Sequence, residues 1–388
     1  MPEPGSLFTA APLPQAPLDD AQRLACLRLI RSENVGPVTF RQLINHYGGA
    51  EPALAALPEL ARRGGRGRPI RITPRADAER ELERARNIGA VPIFTIEPGY
   101  PPALASIEQP PPLLYVRGVT SLLARPAIAI VGSRQSSAAG LKLTRQFASG
   151  LAAAGYAIVS GLARGIDAAA HETSLERGTI AVVAGGVDIV YPPENAALHA
   201  AIGEQGAIVS EMPPGFVPRG RDFPRRNRII AGVALGIVVI EAARRSGTLV
   251  TARYAVEHGR DVFAVPGHPL DPRAEGTNGL LKSGAIIATE PADVLTHMAP
   301  LSGLSPHPSF AEPDVAPWEP AITAEPPHLP GETDRNRVLD ALGPAPVDID
   351  AVARETGLPA RTINVILMEL ELAGRICRQG NQLVARIA

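Results

Sequence analysis

The sequence predicts an α/β protein: a Rossmann-like, doubly wound, mainly parallel sheet with a small helical N-terminal module and a C-terminal winged helix. Three observations carry this expectation. From residue 127 onward, short unbroken β-branched runs alternate with segments of helix length, the pattern of parallel strands buried on both faces. Ahead of them lie amphipathic helical segments, and near the C-terminus three helical segments are followed by a hairpin pattern.

Residues 1–18 are proline-rich and lack periodicity, which predicts a disordered N-terminus. A helical module follows over residues 19–75. LDDAQRLACLRLIRSE places apolar residues at helical spacing, and NVGPVTFRQLINHYGG turns into a second helix. A VGP turn before an amphipathic helix suits a phosphate-gripping helix-hairpin-helix, but the sequence favours a plain helical packing module. Arg62, Arg63, Arg66, Arg68, Arg71 and Arg75 cluster among glycines and prolines; a solvated loop is preferred over a secondary nucleic-acid contact.

The Rossmann-like domain is assigned to residues 76–298. Its expected strands are AIAIVG (127–132), YAIVS (156–160), TIAVVAGG (179–186), AIVS (207–210), GIVVIEA (236–242), DVFAVPG (261–267) and AIIA (285–288). Segments such as SAAGLKLTRQFASGLAAAG and GIDAAAHETSLERG supply the intervening helices. Residues 299–331, rich in proline, read as a stiff extended linker. In the winged helix, residues 332–388, DRNRVLDAL, DIDAVARETG and LPARTINVILMELELAG give three helices, and GRICRQGNQLVARI a hairpin turning at Gln379–Asn381.

Composition narrows the function. Of the 38 basic residues only Lys142 and Lys282 are lysines, and the formal net charge is −1, so any basic site is local rather than a coat of positive charge. Cys26 and Cys377 form no CxxC pair, which excludes a disulfide framework. The N-terminus lacks a secretory pattern and no apolar stretch is long enough to span a bilayer, so a cytoplasmic protein is expected.

In an open parallel sheet, ligands bind beyond the carboxyl ends of the strands. The unusual residues of this chain fall at those ends. Gly132, Ser133 and Arg134 follow the first expected strand. Ser160, Gly161, Arg164 and Gly165 follow the second, and Ser246, Gly247 and Thr248 follow the fifth. Glycine admits close phosphate approach, amides at a helix start face anions, hydroxyls add donors, and arginine offers a planar fork. A second segment, residues 219–228, holds five arginines around Phe223 and Asn227. There Arg225, Arg226 and Arg228 would meet phosphates while Phe223 stacks on an unpaired base. One of Ser246 and Thr248 is also a sufficient N-cap.

Several chemistries find no support. There is no GxxxxGK[ST] loop and no GxGxxG fingerprint. Asp167 and His171 share a helix face without a third ligand, so they read as a cap and a packed or pairing histidine, not a metal site. Ser133, His171 and Asp188 lack the GxSxG elbow of a nucleophile. Glu241 beside a phosphate loop is the one residue suited to a hydrolase.

Longer strings carry a family resemblance: PGYPPALASIEQPPPLLYVRG (98–118), AIVGSR (129–134), VSGLARGIDAAAH (159–171), GGVDIVYPPEN (185–195), SEMPPG (210–215), FPRRNRIIAG (223–232) and VIEAARRSGTLVTARYAVEHGRDVFAVPG (239–267). In this order they resemble the DprA/Smf family (DNA-processing protein A), bacterial proteins of natural transformation, over roughly residues 95–297. The resemblance implies single-stranded DNA binding without catalysis or cofactor, homodimerisation through the Rossmann-like domain, and loading of RecA recombinase onto incoming DNA. It implies phosphate contacts from Arg134 and Arg164, and further contacts and base stacking from Phe223–Arg228. Some members have lysine where Arg164 stands. LLKSGAII (280–287) departs from the family's usual acidic or glutamine residue before GA, which clouds any role for that loop.

The winged helix reads differently. Residues 331–388 carry 7 arginines against 8 acidic residues, and the expected recognition helix sets Arg361 beside Glu369 and Glu371. A DNA-reading helix brings a basic face, so a protein-interaction or regulatory module is expected. The alternative for the whole chain is a nucleotide-processing phosphoribohydrolase on a related sheet. Its PGGxGTxxE signature is here split between AGG (184–186) and SGT (246–248).

Overall fold

The computed structural model of the 388-residue chain describes residues 17–302, 330–380 and 382–387. The expectations for residues 1–16, for most of the proline-rich 299–331 stretch and for Asn381 lie outside the described residues. The chain divides into two compact units, residues 80–305 and residues 1–79 with 306–388.

The smaller unit begins with α1 (Asp20–Arg31), α2 (Pro37–Tyr47) and α3 (Ala50–Arg63). Asp19 and Gln22 cap α1 reciprocally: the Gln22 amide donates to Asp19 Oδ1 at 2.8 Å, and the Asp19 amide to Gln22 Oε1 at 3.0 Å. Pro37 opens α2, where a missing N–H costs nothing, and Gly48 ends it in the left-handed region. The boundary between the units falls within α4 (Arg75–Asn87).

The larger unit starts with β1 (Ala90–Phe94), α5 (Pro102–Ala105) and β2 (Leu113–Gly118). It continues through β3 (Ala127–Val131), α6 (Ala138–Ala153), β4 (Ala157–Ser160), α7 (Ile166–Ser174), β5 (Thr179–Val182), α8 (Ala196–Gln205) and β6 (Ala207–Ser210). Then come α9 (Asp222–Val233), β7 (Gly236–Val239), α10 (Thr248–Glu257), β8 (Asp261–Ala264), α11 (Glu275–Lys282), β9 (Ile286–Ile287) and α12 (Pro291–Ser302). Among the described residues the sheet has nine strands in the order β1-β2-β6-β5-β4-β3-β7-β8-β9. From β6 to β9 the pairs are parallel; β1 and β2 form an antiparallel edge on β6.

All seven expected strands of the parallel region are present. The edge pair β1 and β2 was not expected, because Pro92 interrupts the first short run and Pro110–Pro112 precede the second. Pro92 is tolerated since β1 is an edge strand.

The strands read as continuous apolar runs because each face of the sheet meets its own core. Along β3, Ala127, Ala129 and Val131 enter one apolar cluster while Ile128 and Ile130 enter the other. Each fully buried Ile or Val contributes about 1.5–3 kcal/mol, so the alternation fixes the register without any polar face. Strand order reverses between β3 and β7, and their carboxyl-end loops therefore diverge around a crevice.

The C-terminal part of the smaller unit holds α13 (Glu332–Asp340), β10 (Val347–Asp348), α14 (Ile349–Thr356), α15 (Ala360–Leu372), β11 (Ile376–Gln379) and β12 (Leu383–Arg386). Three helices and a three-stranded sheet of order β10-β12-β11 make the expected winged helix, with Val338, Val352, Ile363, Ile366, Leu370 and Val384 in its core.

Candidate nucleic-acid interface

A cleft of about 570 Å³ opens at the switch point. Its walls include Gly132, Ser133 and Arg134 after β3, Arg164 after β4, Phe223, Arg226 and Asn227 on α9, and Ser246, Gly247 and Thr248 after β7. Ten of the fifteen residues singled out from sequence thus share one cavity. Gly161 lines a smaller pocket that adjoins it, together with Arg134, Arg164, Tyr191 and Phe223.

The loops are stitched to one another. Thr248 Oγ1 donates to the Gly132 carbonyl at 3.0 Å, tying the β7 loop to the β3 loop. Ser246 Oγ accepts the Thr248 amide at 3.2 Å, and Asn227 Nδ2 donates to the Gly247 carbonyl at 3.3 Å. Gly165 has φ +76°, and a Cβ there would stand 2.4 Å from the Ser133 carbonyl oxygen. This glycine therefore serves the close approach of two loops rather than lining the cleft.

On this scaffold sit the exposed groups. The Arg134 guanidinium lies over the Phe223 ring, 5.8 Å from its centroid, and Tyr191 packs against the same ring at 5.0 Å and 51°. Arg164 and Glu194 are 3.4 Å apart with both side chains about 60% exposed, an arrangement of little strength in water. The pair therefore does not fix the Arg164 guanidinium in place. Arg245 and Gln135 also line the cleft. Arg245 belongs to the arginine-bearing end of the fifth expected strand, whereas sequence reasoning passed over Gln135 and Tyr191; the Tyr191-Pro192-Pro193 string was a signal for the latter, since an aromatic beside two prolines lies on a surface turn.

Four expectations need correction. Arg226 lines the cleft but is 6% exposed, and its Nη1 donates to the carbonyls of Gly161 at 2.6 Å and Val182 at 2.5 Å. A Cβ on Gly161 would lie 2.2 Å from that Nη1, so Gly161 makes room for the guanidinium. Burial lowers the Arg226 pKa to about 10, which leaves it charged at neutral pH, and Asp167 opposes that shift. Arg226 is therefore a structural pin beneath the cleft. Arg225 and Arg228 line no part of the cleft: Arg225 Nε lies 2.8 Å from Glu211 Oε1 and Arg228 Nη2 2.5 Å from Glu211 Oε2, with Arg228 also donating to the Gln109 carbonyl. One helical turn separates Arg225 and Arg228, which puts both on the flank facing Glu211. Ser160 is fully buried and donates to the Ile130 carbonyl at 2.6 Å.

The remaining polar residues have defined structural partners. Asp167 accepts the amides of Gly161 and Ala163 at 3.2 and 3.3 Å, and burial raises its pKa. Thr179 Oγ1 donates to the Ile158 carbonyl and so accepts from His171 Nδ1 at 2.7 Å. Asp188 accepts the Gly215 amide, so Ser133, His171 and Asp188 assemble no triad. Glu241 holds Ser137, the N-cap of α6: its Oε2 accepts the Ser137 amide at 3.0 Å and its Oε1 the Ser137 hydroxyl at 2.5 Å. Both carboxylate oxygens thus accept from Ser137. The arginine cluster of residues 62–75 is largely ion-paired, with Arg62 and Arg63 on Glu59, Arg66 and Arg68 on Glu33, and Arg75 on Glu79.

Fold and cleft together define a class: a Rossmann-like protein whose switch-point crevice is lined with arginine, hydroxyl and aromatic groups suited to an anionic ligand. The family model for DNA recombination-mediator protein A matches residues 92–299, the DprA-like N-terminal HHH domain residues 20–91, and the DprA winged helix domain residues 322–382. The chain belongs to the DprA/Smf family. It is 41% identical over 285 residues to protein Smf of Escherichia coli, covering 71% of this chain and 72% of that protein. It is 45% identical over 207 residues to DNA processing protein DprA of Streptococcus pneumoniae, covering 53% of this chain and 73% of that one. The X-ray structure of DprA from Streptococcus pneumoniae superimposes with a TM-score of 0.54 at 40% identity, over 58% of this chain and 78% of that one. Among the described residues no helix is long and apolar enough to cross a membrane.

Proposed function

We propose that this protein binds single-stranded DNA in the switch-point cleft and does not alter it chemically. The carrying observation is the convergence of the β3, β4 and β7 loops and α9 on one cavity, with Arg134 and Arg164 exposed beside an accessible aromatic ring. Arg134 and Arg164 hold backbone phosphates, and Phe223 with Tyr191 offers the apolar surface on which an unpaired base stacks. Such stacking tolerates any base, so little sequence preference is expected. The engagement of Glu241 with Ser137, the N-cap of α6, supports the non-catalytic reading over the phosphoribohydrolase alternative.

Family membership extends the reading to a homodimer in the cytoplasm that protects incoming single strands and loads RecA recombinase onto them during transformation. The test is a titration of labelled oligo-dT at several salt concentrations, in parallel with an assay for base release from nucleoside monophosphates. Affinity that falls steeply with salt, without base release, is expected. Base release without oligonucleotide binding overturns the proposal. Light scattering at micromolar concentration reports the dimer, and recombinase filament assembly on coated single strands reports loading.

A further inference from the structure

In a helix-turn-helix protein the second helix enters the major groove with its outer face bare. Here that helix is α15, and it is apolar on two sides, the signature of a helix buried all round. Ile363, Ile366, Leu367 and Leu370 fill the winged-helix core. Met368, Glu369 and Leu372 are also buried, at 3%, 0% and 0% exposure, yet stand outside that core cluster.

What covers them is the N-terminal helical module. Asn34 Nδ2 donates to the Leu372 carbonyl at 3.0 Å, and Thr39 Oγ1 donates to Glu371 Oε2 at 2.7 Å. Arg378 Nε holds the same carboxylate oxygen at 3.0 Å and its Nη2 donates to Gln42 Oε1 at 3.4 Å. Arg66, with a side chain only 7% exposed, donates to the Leu372 carbonyl. At Gly64 the two backbones meet so closely that a Cβ would lie 2.0 Å from the Glu369 carbonyl oxygen. Arg361 and Asn364, on the half of α15 that would reach base edges, face Gln42, Asn45 and His46 of α2 across a cleft of about 220 Å³. That gap accommodates a few side chains, not a duplex.

We infer that the outer face of α15 is a docking surface for this chain's own N-terminal helical module, so that the two form one folding unit and the winged helix reads no duplex while docked. Both acidic residues of α15 have partners, and the inference explains the second of them. Glu369 holds Arg335 within the winged helix at 2.7 Å, and Glu371 binds Thr39 across the seam. It is independent of the single-strand reading of the Rossmann-like cleft, because it concerns the other compact unit.

The experiment uses the full chain. Hydrogen exchange with mass spectrometry is followed along a urea series. Peptides from α1 to α3 and peptides from α13 to β12 are expected to lose protection at a common midpoint, and two separate midpoints overturn the inference. In Gly64→Leu, whose side chain has no room at the seam, both peptide sets shift to lower urea together while the sheet of the larger unit does not. A shift of the N-terminal peptides alone overturns it. Should Gly64→Leu fail to fold, Asn34→Ala gives the same joint shift at smaller amplitude. Duplex titrations of Arg361→Ala and Asn364→Ala are expected within twofold of the unaltered chain, and a fall of fivefold or more overturns the statement about duplex reading.

Discussion

Arg134 and Phe223 form a cation–aromatic pair across the mouth of the cleft, the guanidinium carbon 5.8 Å from the ring centroid. A polar group fit for phosphate and an apolar face fit for a base are thereby held at one place by two elements, the β3 loop and α9. This pairing separates the two contributions to affinity that mutagenesis can resolve.

Phe223→Ala removes the stacking face and leaves the charges. Base–aromatic stacking is worth about 1–3 kcal/mol per base, so oligo-dT affinity falls by roughly one decade or more at every salt concentration. The slope of log affinity against log salt stays unchanged. Fluorescence anisotropy over a salt series checks both outcomes.

Arg134→Ala and Arg164→Ala act on the other contribution. Each removes one phosphate contact, and each is expected to reduce the salt slope by about 0.7, the value per contact for a single strand. Arg225→Ala serves as the contrast, since that side chain pairs with Glu211 outside the cleft. It leaves the slope within error.

Arg226→Met is a stability variant rather than a binding variant. It strands the carbonyls of Gly161 and Val182 and leaves Asp167 buried without its positive neighbour. Removing one partner from a buried charged network costs about 3–5 kcal/mol. Urea denaturation of the unaltered chain and the variant measures it, and a loss under about 1 kcal/mol contradicts the structural role.

His171 makes stability depend on pH. Burial holds its pKa down at about 3, against 6.5 for an unperturbed histidine, so it is neutral in the folded protein while the unfolded chain takes up a proton. Its contribution is complete above pH 6.5 and is lost as pH falls toward 3. Asp167, whose pKa is raised, works in the opposite sense. His171→Gln isolates the histidine: between pH 6.5 and 4 the unaltered chain loses stability more steeply than the variant in chemical denaturation.

Glu241→Ala removes the carboxylate that holds Ser137, the N-cap of α6, through its amide and hydroxyl, and leaves the Gly140 amide bonded to Ser137 Oγ. Losing these charge-assisted bonds costs about 1–3 kcal/mol, read in the same denaturation experiment, with no change in oligo-dT affinity beyond that attributable to unfolding.

The parallel region was legible because its signal is local and redundant. Seven short apolar runs rich in β-branched residues, separated by segments of helix length, require burial on both faces whatever surrounds them. The convergence of Gly132, Ser133, Arg134, Arg164 and Ser246–Thr248 was legible for the same reason, since strand carboxyl ends in a parallel sheet share one edge. β1 and β2 were not, because Leu113–Gly118 pairs with β6, far along the chain (Tyr115 with Ser210, Gly118 with Ala207), and such pairing leaves no local period. The arginine-rich segment shows a finer limit. Arg225, Arg226 and Arg228 are consecutive or nearly so, yet the rotation of α9 by about 100° per residue sends Arg226 to a different side from Arg225 and Arg228. One pins two strands from beneath and two clasp Glu211.

By itself, then, the amino-acid sequence determined the layered α/β architecture, the edge of the sheet that carries the ligand groups, and the family. Those depend on short-range hydrophobic period and on residue type at strand ends. Tertiary structure alone decided which arginines face solvent and which are consumed inside the protein. It also decided that α15 meets α2 and α3 rather than open water, because charges and apolar stripes find partners through long-range packing that no local pattern encodes.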